Sequence, residues 1–510
     1  MSKPMTVRSG AKQWFGIVGG LLTFLFITSC LNLEPGRPVV TRTAAVAALM
    51  AIWWVTEAVP LPVTALLPIA LFPLLGIMNG NSTAALYFND IIFLFIGGFI
   101  IALAMQRWHL HRRIALRTIL LIGHSPRLLL LGFMAATAFL SMWVSNTATA
   151  MMMTPMGMAI ILKLKEDFGD KTVSRFATAL MLGIAYAASI GGVATLIGTP
   201  PNLVFVRILA ITFPNAPEIT FATWLAFGLP FAAVFLIVAW AVLVLMFMRD
   251  KKPFATDRTV FKNEYACLGR ISFEERVVLS LLLLLAALWI FRQDINLGSV
   301  TIPGWSRLAI VPDFLSDGTV AICVALLLFV IPSRQERGKW VMDWPTASKL
   351  NWGIVLLFGG GFALAGGIQE SGLSGWLGRQ MTGLHDLPPV VLVGSVCAML
   401  TFLTELTSNT AITQVSLPVL ASLAVSIQVN PLFLMLPATL AASCGFMLPV
   451  GTPPNAIVFG TGEVRMADMV KTGLILDVIS VVLLTACMFL FGMSVFDINL
   501  SQFPGWAVTP

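Results

Sequence analysis

Long apolar runs are the feature of this sequence that most restricts its fold. Stretches of roughly 20 mostly apolar residues, the length that a membrane-spanning helix needs, recur from residues 14–33 to residues 475–495. Of the 510 residues, 58% are hydrophobic and 11% are charged, whereas a soluble domain has about 25% charged residues. A water-soluble fold of this composition has no plausible surface, so the chain is predicted to cross a bilayer many times.

The first apolar run follows Lys3, Arg8 and Lys12 and could therefore be read as a secretory signal peptide. It lacks a convincing cleavage site of small residues, and it is as long as a true span. We interpret it as the first transmembrane helix.

Breaks at glycine, proline and charged residues divide the chain into an all-α polytopic membrane protein. Two apolar stretches, 126–163 and 388–425, are interrupted in the middle by polar residues, and we interpret them as re-entrant helical hairpins. Two spans, 176–206 and 432–460, are predicted to be broken helices. The eleven predicted transmembrane helices lie near residues 14–33, 40–58, 61–78, 90–107, 176–206, 222–248, 277–292, 317–332, 352–369, 432–460 and 472–495.

The distribution of lysine and arginine predicts the orientation. With a cytoplasmic N-terminus and both hairpins re-entrant, 25 of the 31 basic residues fall on the cytoplasmic side, the bias that membrane proteins show. The chain is therefore predicted to be an integral protein of the plasma or inner membrane with its C-terminus outside. The net charge of +7 reflects this bias and not nucleic-acid binding, because the basic residues do not form one patch with aromatic residues.

Three motifs occur twice in the same order. Phe-Ile-Gly-Gly-Phe at 95–99 matches Phe-Gly-Gly-Gly-Phe at 358–362, Ser-Asn-Thr-Ala at 145–148 recurs at 408–411, and Gly-Thr-Pro-Pro-Asn at 198–202 recurs at 451–455. These matches predict a first repeat at 1–248, a cytoplasmic linker at 249–276 with a short surface helix, and a second repeat at 277–510. On the charge-based topology the two hairpins open to opposite sides, so the repeats are inverted. Inverted repeats with interrupted helices indicate a secondary transporter with its site near the midplane.

Each Ser-Asn-Thr lies in the middle of an apolar hairpin, where polar groups survive only when they are buried in protein or line a cavity. A hairpin tip supplies hydroxyls, an amide and carbonyls that suit sodium, and a helix N-terminus that suits a carboxylate. Serine and threonine can also merely cap and pack membrane helices, but two copies at symmetric positions favour a binding site.

Gly-Thr-Pro-Pro-Asn interrupts its helix, because two prolines remove two backbone donors and disfavour helix at the preceding residue. The prediction is an unwound segment with free carbonyls, and a simple proline kink is the alternative reading.

No lysine or arginine lies within residues 128–162, 177–206 or 388–462. The negative charge of a dianion bound there must be offset by helix termini and co-bound cations. The absence of basic residues therefore predicts that transport is coupled to cations. Glu405, the lone acid near a tip, is interpreted as a buried structural acceptor or otherwise as part of a sodium shell. Six cysteines without metal or redox spacing are interpreted as packing residues, namely Cys30, Cys267, Cys323, Cys397, Cys444 and Cys487.

The duplicated motifs, the stretch Phe139-Leu-Ser-Met-Trp-Val-Ser-Asn-Thr-Ala-Thr-Ala-Met-Met, and Trp53-Trp-Val-Thr-Glu-Ala-Val-Pro-Leu-Pro-Val-Thr resemble the divalent anion/sodium symporter family over nearly the whole chain. The resemblance implies eleven spanning helices with two re-entrant hairpins, a homodimer, and an elevator mechanism. It also implies a dicarboxylate substrate and at least two co-transported sodium ions.

The resemblance further implies roles for individual residues. The first sodium site would use Ser141, Ser145, Asn146 and Gly198. The second would use Thr404, Thr407, Ser408, Asn409 and Gly451. The substrate carboxylates would bind Ser145, Asn146, Thr147, Ser408, Asn409, Thr410, Thr452 and Pro453.

The expected function is therefore sodium-coupled import of C4 dicarboxylates such as succinate, malate and fumarate. A sodium-independent dicarboxylate exchanger and a citrate or sulfate carrier of the same family are the alternatives. An intramembrane enzyme is disfavoured, because the sequence has no matching catalytic motif and none of its histidines lies at a tip; these are His109, His111, His124 and His385. A channel is disfavoured because inverted repeats with hairpins fit alternating access better.

Overall fold

A computed structural model describes residues 10–122, 125–248, 259–296, 301–381 and 387–508. These residues are mostly helical, as the sequence predicts. The first half contains α1 (Ala11–Cys30), α2 (Pro38–Thr56), α3 (Leu61–Thr64), α4 (Leu67–Leu74), α5 (Gly80–Ala85), α6 (Asp90–Arg107), α7 (Leu110–Ile122), α8 (Pro126–Ser141), α9 (Asn146–Phe168), α10 (Asp170–Gly192), α11 (Pro200–Thr212) and α12 (Phe221–Phe247).

The remaining helices follow the same pattern of long apolar segments and short connecting pieces. They are α13 (Thr259–Cys267), α14 (Phe273–Ile290), α15 (Asp317–Val330), α16 (Trp344–Ala347), α17 (Trp352–Ser371), α18 (Leu373–Gln380), α19 (Pro389–Thr404), α20 (Asn409–Ser426), α21 (Pro431–Ala441), α22 (Pro453–Phe459), α23 (Met466–Cys487) and α24 (Met493–Val495).

The other regular segments are short. A π-helical turn, Met488–Gly492, joins α23 to α24. A β-ribbon pairs β1 (Ile295–Asn296) with β2 (Thr301–Ile302) in antiparallel fashion. The 3-10 helices are Trp305–Leu308, Pro312–Phe314 and Gly505–Ala507.

Eight helical stretches in the described part of the chain are long and apolar enough to cross a membrane, and six apolar helices are shorter. The prediction of a many-spanning integral membrane protein is therefore confirmed. The count of eleven spans and the re-entrant path of the two hairpins stay predictions, because helix length and composition alone do not show where a bilayer lies.

The two interrupted stretches each form a pair of helices joined by four residues. In the first pair, α8 begins at Pro126 behind the cap of Ser125 and ends at Ser141. Its partner α9 continues to Phe168, five residues beyond the predicted end at 163, and stops before Gly169, whose φ of 82° few other residues adopt. In the second pair, α19 begins at Pro389 and α20 ends at Ser426, each within one residue of the predicted boundaries 388 and 425.

Both predicted broken helices are broken. In the first, α10 and α11 are separated by residues 193–199, and in the second, α21 and α22 are separated by residues 442–452. The first starts at Asp170 and ends at Thr212, beyond the predicted limits of 176 and 206 on both sides. The breaks fall at the Gly-Thr-Pro-Pro-Asn motifs because proline is favoured at the first helical position and disfavours helix before it.

The core is organised around α10, whose side chains are almost all buried. Helices α8, α9 and α12 pack against it. The two halves of the chain also contact each other, since α22 packs on α9 and α11 packs on α20. Each broken helix therefore contacts the second helix of the other half's helix pair. These contacts bring the two tips into the same core.

Peripheral elements carry exposed apolar surface. Helix α1 packs against α2, and its residues Phe15 and Leu22 are 79% and 61% exposed. Such an exposed apolar surface fits a lipid environment.

The predicted linker, 249–276, contains the short helix α13, and its residues 249–258 lie outside the described part of the chain.

An ion-pair network lies near the C-terminal end of α9. Lys165 Nζ lies 2.9 Å from Asp170 Oδ1 and 2.7 Å from Glu463 Oε1. This ion-pair network connects α9 to the segment between α22 and α23.

The interpretation of all six cysteines as packing residues is wrong for three of them. Cys397, Cys444 and Cys487 are buried as expected, whereas Cys30, Cys267 and Cys323 are exposed. A single cysteine is tolerated at exposed as well as at buried helix positions, so the residue type alone does not predict whether it packs in the core.

Candidate functional site

The first candidate site is the turn of residues 142–145 between α8 and α9. Ser141, the last residue of α8, is fully buried. Its Oγ lies 2.8 Å from Asn146 Oδ1 and 2.6 Å from the carbonyl oxygen of Ala188 on α10. A serine hydroxyl carries one proton, so it can donate to only one of these two acceptors at a time.

The Asn146 amide lies among oxygen atoms. Its Oδ1 faces only acceptors; with the amide turned over, its nitrogen would donate to Ser141 Oγ at 2.8 Å, Ala188 O at 3.1 Å and Gly198 O at 3.3 Å. Three oxygens, the Ser141 hydroxyl and two carbonyls, therefore converge on this amide. When the amide oxygen, and not its nitrogen, faces them, the four oxygens form a set that a hard cation prefers.

This arrangement requires glycine at residue 192. A Cβ built there would lie 2.3 Å from Asn146 Oδ1, a distance that no real contact has. The end of α10 therefore reaches the tip closely only because residue 192 has no side chain.

The unwound segment 193–199 wraps around this tip through side-chain hydrogen bonds. Thr195 Oγ1 donates to the carbonyl of Met142 at 2.6 Å and accepts from the backbone N–H of Gly198 at 3.1 Å. Asn202, the last residue of the Gly-Thr-Pro-Pro-Asn motif, donates to the carbonyls of Gly192 and Thr195. The predicted free carbonyls are thus partly bound by the motif's own asparagine.

The second candidate site, residues 405–408 between α19 and α20, repeats this chemistry. Thr404, fully buried at the end of α19, has its Oγ1 2.7 Å from Asn409 Oδ1 and 2.7 Å from the carbonyl of Ala442. Again one hydroxyl proton faces two acceptors. Asn455 donates to the carbonyls of Gly445 and Leu448, which lie 253 positions after the carbonyls that Asn202 binds.

Glu405 makes the two tips different. Its side chain is 2% exposed, and its two carboxylate oxygens accept from the backbone N–H groups of Met447 at 2.7 Å and Leu448 at 2.8 Å. The unwound segment 442–452 is longer than its counterpart 193–199, because α21 already ends at Ala441. The Glu405 carboxylate accepts hydrogen bonds from backbone N–H groups that have no helical partner there. The interpretation of Glu405 as a buried structural acceptor fits these contacts.

The remaining predicted residues lie at helix starts around the tips. Ser145 precedes α9 and its Oγ accepts from the N–H of Ala148 at 3.4 Å, and Ser408 precedes α20. Thr452 caps α22 by accepting from the N–H of Asn455. Thr407 Oγ1 lies 3.5 Å from the carbonyl of Trp54 at the end of α2.

Four predicted residues complete this description by their burial and position. Thr147 is half-buried in the first turn of α9, and Thr410 is buried in that of α20. Gly451 lies beside Glu405, since a Cβ built on it would be 2.8 Å from Glu405 Oε2. Pro453 is exposed at the start of α22.

Several site residues were missed by the sequence interpretation. The carbonyls of Ala188 and Ala442 carry no side-chain signal, and only the fold brings them to the tips. Asn202 and Asn455 had a signal, because both end a duplicated motif, but no role was assigned to them. Asp477 on α23, which accepts from the N–H of Phe446 at 3.2 Å, stands in neither motif.

Apart from the Glu405 carboxylate, the electrostatics of the tips come from backbone groups. Helices α9 and α20 begin at Asn146 and Asn409, so their positive N-terminal ends point at the tips. Among the ion pairs of the described residues, none involves either tip. The arrangement can therefore hold small cations with oxygens and an anion with helix termini, without a basic side chain.

Comparison with known proteins bears on what these tips bind. Residues 20–498 match the family model of the sodium:sulfate symporter transmembrane region. The sodium-dependent dicarboxylate transporter SdcS of Staphylococcus saprophyticus is 42% identical over 498 residues, covering 96% of this chain and 93% of that protein. The SdcS of Staphylococcus aureus strain RF122 is also 42% identical over 498 residues, with 96% and 94% coverage.

Two solved structures resemble the fold at low sequence identity. MtrF of Neisseria gonorrhoeae aligns with a TM-score of 0.54 at 13% identity, over 93% of this chain and 98% of that one. The YdaH transporter of Alcanivorax borkumensis aligns with a TM-score of 0.55 at 14% identity, over 83% and 88%. These similarities concern the fold alone.

Proposed function

Because this chain belongs to the sodium:sulfate symporter family, whose transmembrane region it matches over residues 20–498, we propose that it imports C4 dicarboxylates such as succinate, malate and fumarate together with sodium ions. The family is one of transporters, so the chain is an integral membrane transporter and not an intramembrane enzyme. Its relatives are named for sodium and dicarboxylate, which supports the choice of ion and of substrate class.

The observation that carries the proposal is the pair of oxygen clusters at the tips. At each tip a hydroxyl, from Ser141 or Thr404, faces both an asparagine oxygen and a backbone carbonyl at 2.6–2.8 Å. A sodium ion in each cluster would supply the positive charge that these oxygens and a bound dicarboxylate need. Two ions would balance a dianion, and this gives the expected minimum of two.

We assign the first sodium ion to Ser141, Ser145, Asn146 and Gly198, and the second to Thr404, Thr407, Ser408, Asn409 and Gly451. The substrate carboxylates lie between the tips, against residues at the N-terminal ends of α9, α20 and α22. Those residues are Ser145, Asn146, Thr147, Ser408, Asn409, Thr410, Thr452 and Pro453.

The transport cycle we propose is an elevator in a homodimer, with inverted repeats at 1–248 and 277–510. Contact between equivalent residues supports the repeat: Phe95 and Phe358 hold corresponding positions in the two glycine-rich motifs, and their rings meet at 5.3 Å. Two residues related by an internal two-fold axis can touch only close to that axis. The cytoplasmic N-terminus and external C-terminus follow from the distribution of basic residues.

The test is uptake of labelled succinate into proteoliposomes containing the purified chain, with and without an inward sodium gradient. Uptake that depends on the gradient is expected. Sodium-independent exchange of internal for external dicarboxylate, or transport of citrate or sulfate in preference to succinate, would identify another branch of the family. Counterflow of labelled succinate into liposomes preloaded with unlabelled succinate is expected for a carrier and excludes a channel.

The sodium sites have a test of their own, and the chain supplies its control. Ser141→Ala and Thr404→Ala each remove one hydroxyl ligand and are expected to raise the sodium concentration for half-maximal uptake by about tenfold, which corresponds to about 1.4 kcal/mol. Ser141→Thr and Thr404→Ser exchange the residues that the two tips already use, so both should retain near-normal sodium dependence. Equal effects of all four substitutions would contradict the assignment.

A further inference from the structure

Asp477 is a buried acid that the proposed sodium and substrate sites do not use. It lies on α23, is 0% exposed, and accepts with Oδ1 from the N–H of Phe446. Its other oxygen, Oδ2, has no hydrogen-bond partner among the described residues. A carboxylate oxygen withdrawn from water without a partner is strongly unfavourable, so something positive is required beside it.

The position of Asp477 is fixed by close packing of α23 on the unwound segment. One helical turn before it, a Cβ built on Gly473 would lie 2.3 Å from the carbonyl oxygen of Phe446. The glycine lets the helix touch the backbone of that segment, and residues four apart share one helix face. Asp477 therefore faces the same stretch of backbone, residues 446–448, that Glu405 binds.

Glu405 and Asp477 consequently form a pair of acids on three consecutive amides, at Phe446, Met447 and Leu448. The two carboxyl groups lie within hydrogen-bonding reach of each other. Two carboxylates so close repel unless a cation or a proton lies between them. Among the ion pairs of the described residues, neither acid has a basic partner, so a bound cation is one way to offset this repulsion and a shared proton is the other.

Tyr186 supplies an independent observation. It lies on α10, in the other half of the chain, and is 0% exposed, and its hydroxyl has no hydrogen-bond partner among the described residues. Its ring packs edge-on against Phe446 at 5.2 Å, the residue whose N–H donates to Asp477. Two unpartnered oxygens, Tyr186 Oη and Asp477 Oδ2, thus lie in one buried region without bonding to each other.

We propose that Asp477, Glu405 and the Tyr186 hydroxyl bind a further sodium ion, separate from the ions at the two tips. Carboxylate and hydroxyl oxygens are the ligands that hard cations prefer, and a monovalent ion offsets the repulsion of the two acids. The site lies behind the second tip and connects α10, α21–α22 and α23. The inference rests on the proposed function for its consequence: with two ions balancing the dicarboxylate, this ion gives each cycle its net positive charge.

The test compares Asp477→Asn with the unchanged protein in proteoliposomes. Asparagine keeps the acceptor for Phe446 and removes the charge. The reversal potential of succinate uptake at fixed sodium and succinate gradients gives the charge moved per succinate. We expect a loss of one positive charge per succinate in Asp477→Asn. The control is Asp468→Asn on the same helix, since Asp468 is paired with Arg465 at the surface and should leave the charge unchanged.

A second measurement needs no transport. Each sodium ion that binds only the folded chain raises the melting temperature with sodium concentration. The slope of that dependence, measured for the purified full chain against potassium controls, should fall by about one third in Asp477→Asn if three ions become two. Tyr186→Phe, which keeps the ring on Phe446 and removes the hydroxyl, should weaken sodium binding several-fold.

The outcomes separate the possibilities. An unchanged charge per succinate together with an unchanged thermal slope in Asp477→Asn would overturn the site. A reversal potential that follows the pH gradient instead of the sodium gradient would show that the acid pair carries a proton, and would also overturn it. If the unchanged protein takes up no succinate, the proposed function fails, while the thermal slope still decides whether Asp477 binds sodium. If only Asp477→Asn is inactive, the thermal slope decides in the same way.

Discussion

Single polar atoms decide the chemistry of the tips. Ser141 and Thr404 differ by one methyl group, yet each places its hydroxyl between an asparagine oxygen five residues later and a backbone carbonyl from a distant segment of the chain. The same geometry in both halves indicates that the hydroxyl, and not the rest of the side chain, is what the position requires.

At this scale we predict that Asn146→Ala and Asn409→Ala each abolish succinate uptake while the protein still inserts into the membrane. Each substitution removes an amide that the ion and the substrate share, and leaves the helix starts intact. The measurement is initial uptake in proteoliposomes with equal amounts of reconstituted protein. Asn499→Ala, at an exposed position near the C-terminus, is the control and should transport normally; near-normal uptake by either tip variant would remove the site assignment.

The sequence predicted some residues of the candidate sites and missed others. The tip hydroxyls and asparagines were predicted because they are duplicated. The carbonyl partners and Asp477 were not, since a carbonyl has no residue-specific signal and Asp477 occurs once. Such partners lie 31 to 47 positions away along the chain, so only the folded arrangement reveals them.

Connections between helices depend on a few buried polar contacts. Arg113 on α7 donates from Nε to Oε1 of Glu275, at the start of α14, at 2.7 Å. Both side chains are at least 91% buried. Glu275 also completes the capping box of α14 with Ser272. One carboxylate thus fixes both the start of a helix and its neighbour.

We predict that Glu275→Gln destabilises the protein by about 3 kcal/mol, because it leaves the Arg113 guanidinium buried without its counter-charge. The glutamine retains an acceptor for the capping box, so the effect reports the lost charge. The measurement is thermal unfolding of the purified protein in detergent.

The control for this prediction is Glu264→Gln. Glu264 pairs with Arg112 at 3.4 Å on a far more exposed surface, where an ion pair contributes about 0–1 kcal/mol. It should therefore lower the melting temperature little. A similar loss in both variants would show that the buried pair contributes no more than the exposed one.

The whole molecule adds the question of orientation. With native cysteines replaced, Asn81→Cys and Gln502→Cys are expected to react with an impermeant thiol reagent from outside, and Asp257→Cys is not. Asn81 and Gln502 are exposed, so accessibility there depends on the side of the membrane; Asp257 lies outside the described part of the chain. The reverse labelling pattern would contradict the inverted-repeat topology.

Transport by the whole molecule should respond to voltage. If more positive charge enters with sodium than negative charge with the dicarboxylate, an inside-negative potential drives uptake by about 2.3 kcal/mol per net charge at 100 mV. We expect a sigmoidal dependence on sodium and faster uptake at inside-negative potential. The measurement is succinate uptake under imposed potassium diffusion potentials. Sodium-independent exchange without an effect of potential would place the chain in the exchanger branch of its family.

The sequence by itself determined the membrane class, the helical fold, the family and the motifs of both tips. The length of the apolar runs, the low charge and the prolines can each be read from neighbouring residues of the sequence. Because each tip motif occurs twice, its prediction rests on two copies. The tertiary structure decided which distant groups meet: the carbonyls of Ala188 and Ala442 at the tips, the crossing of α9 with α22 and α11 with α20, and the meeting of Glu405 with Asp477. These contacts join residues far apart in the chain, and backbone carbonyls and close helix packing leave no pattern in a single sequence.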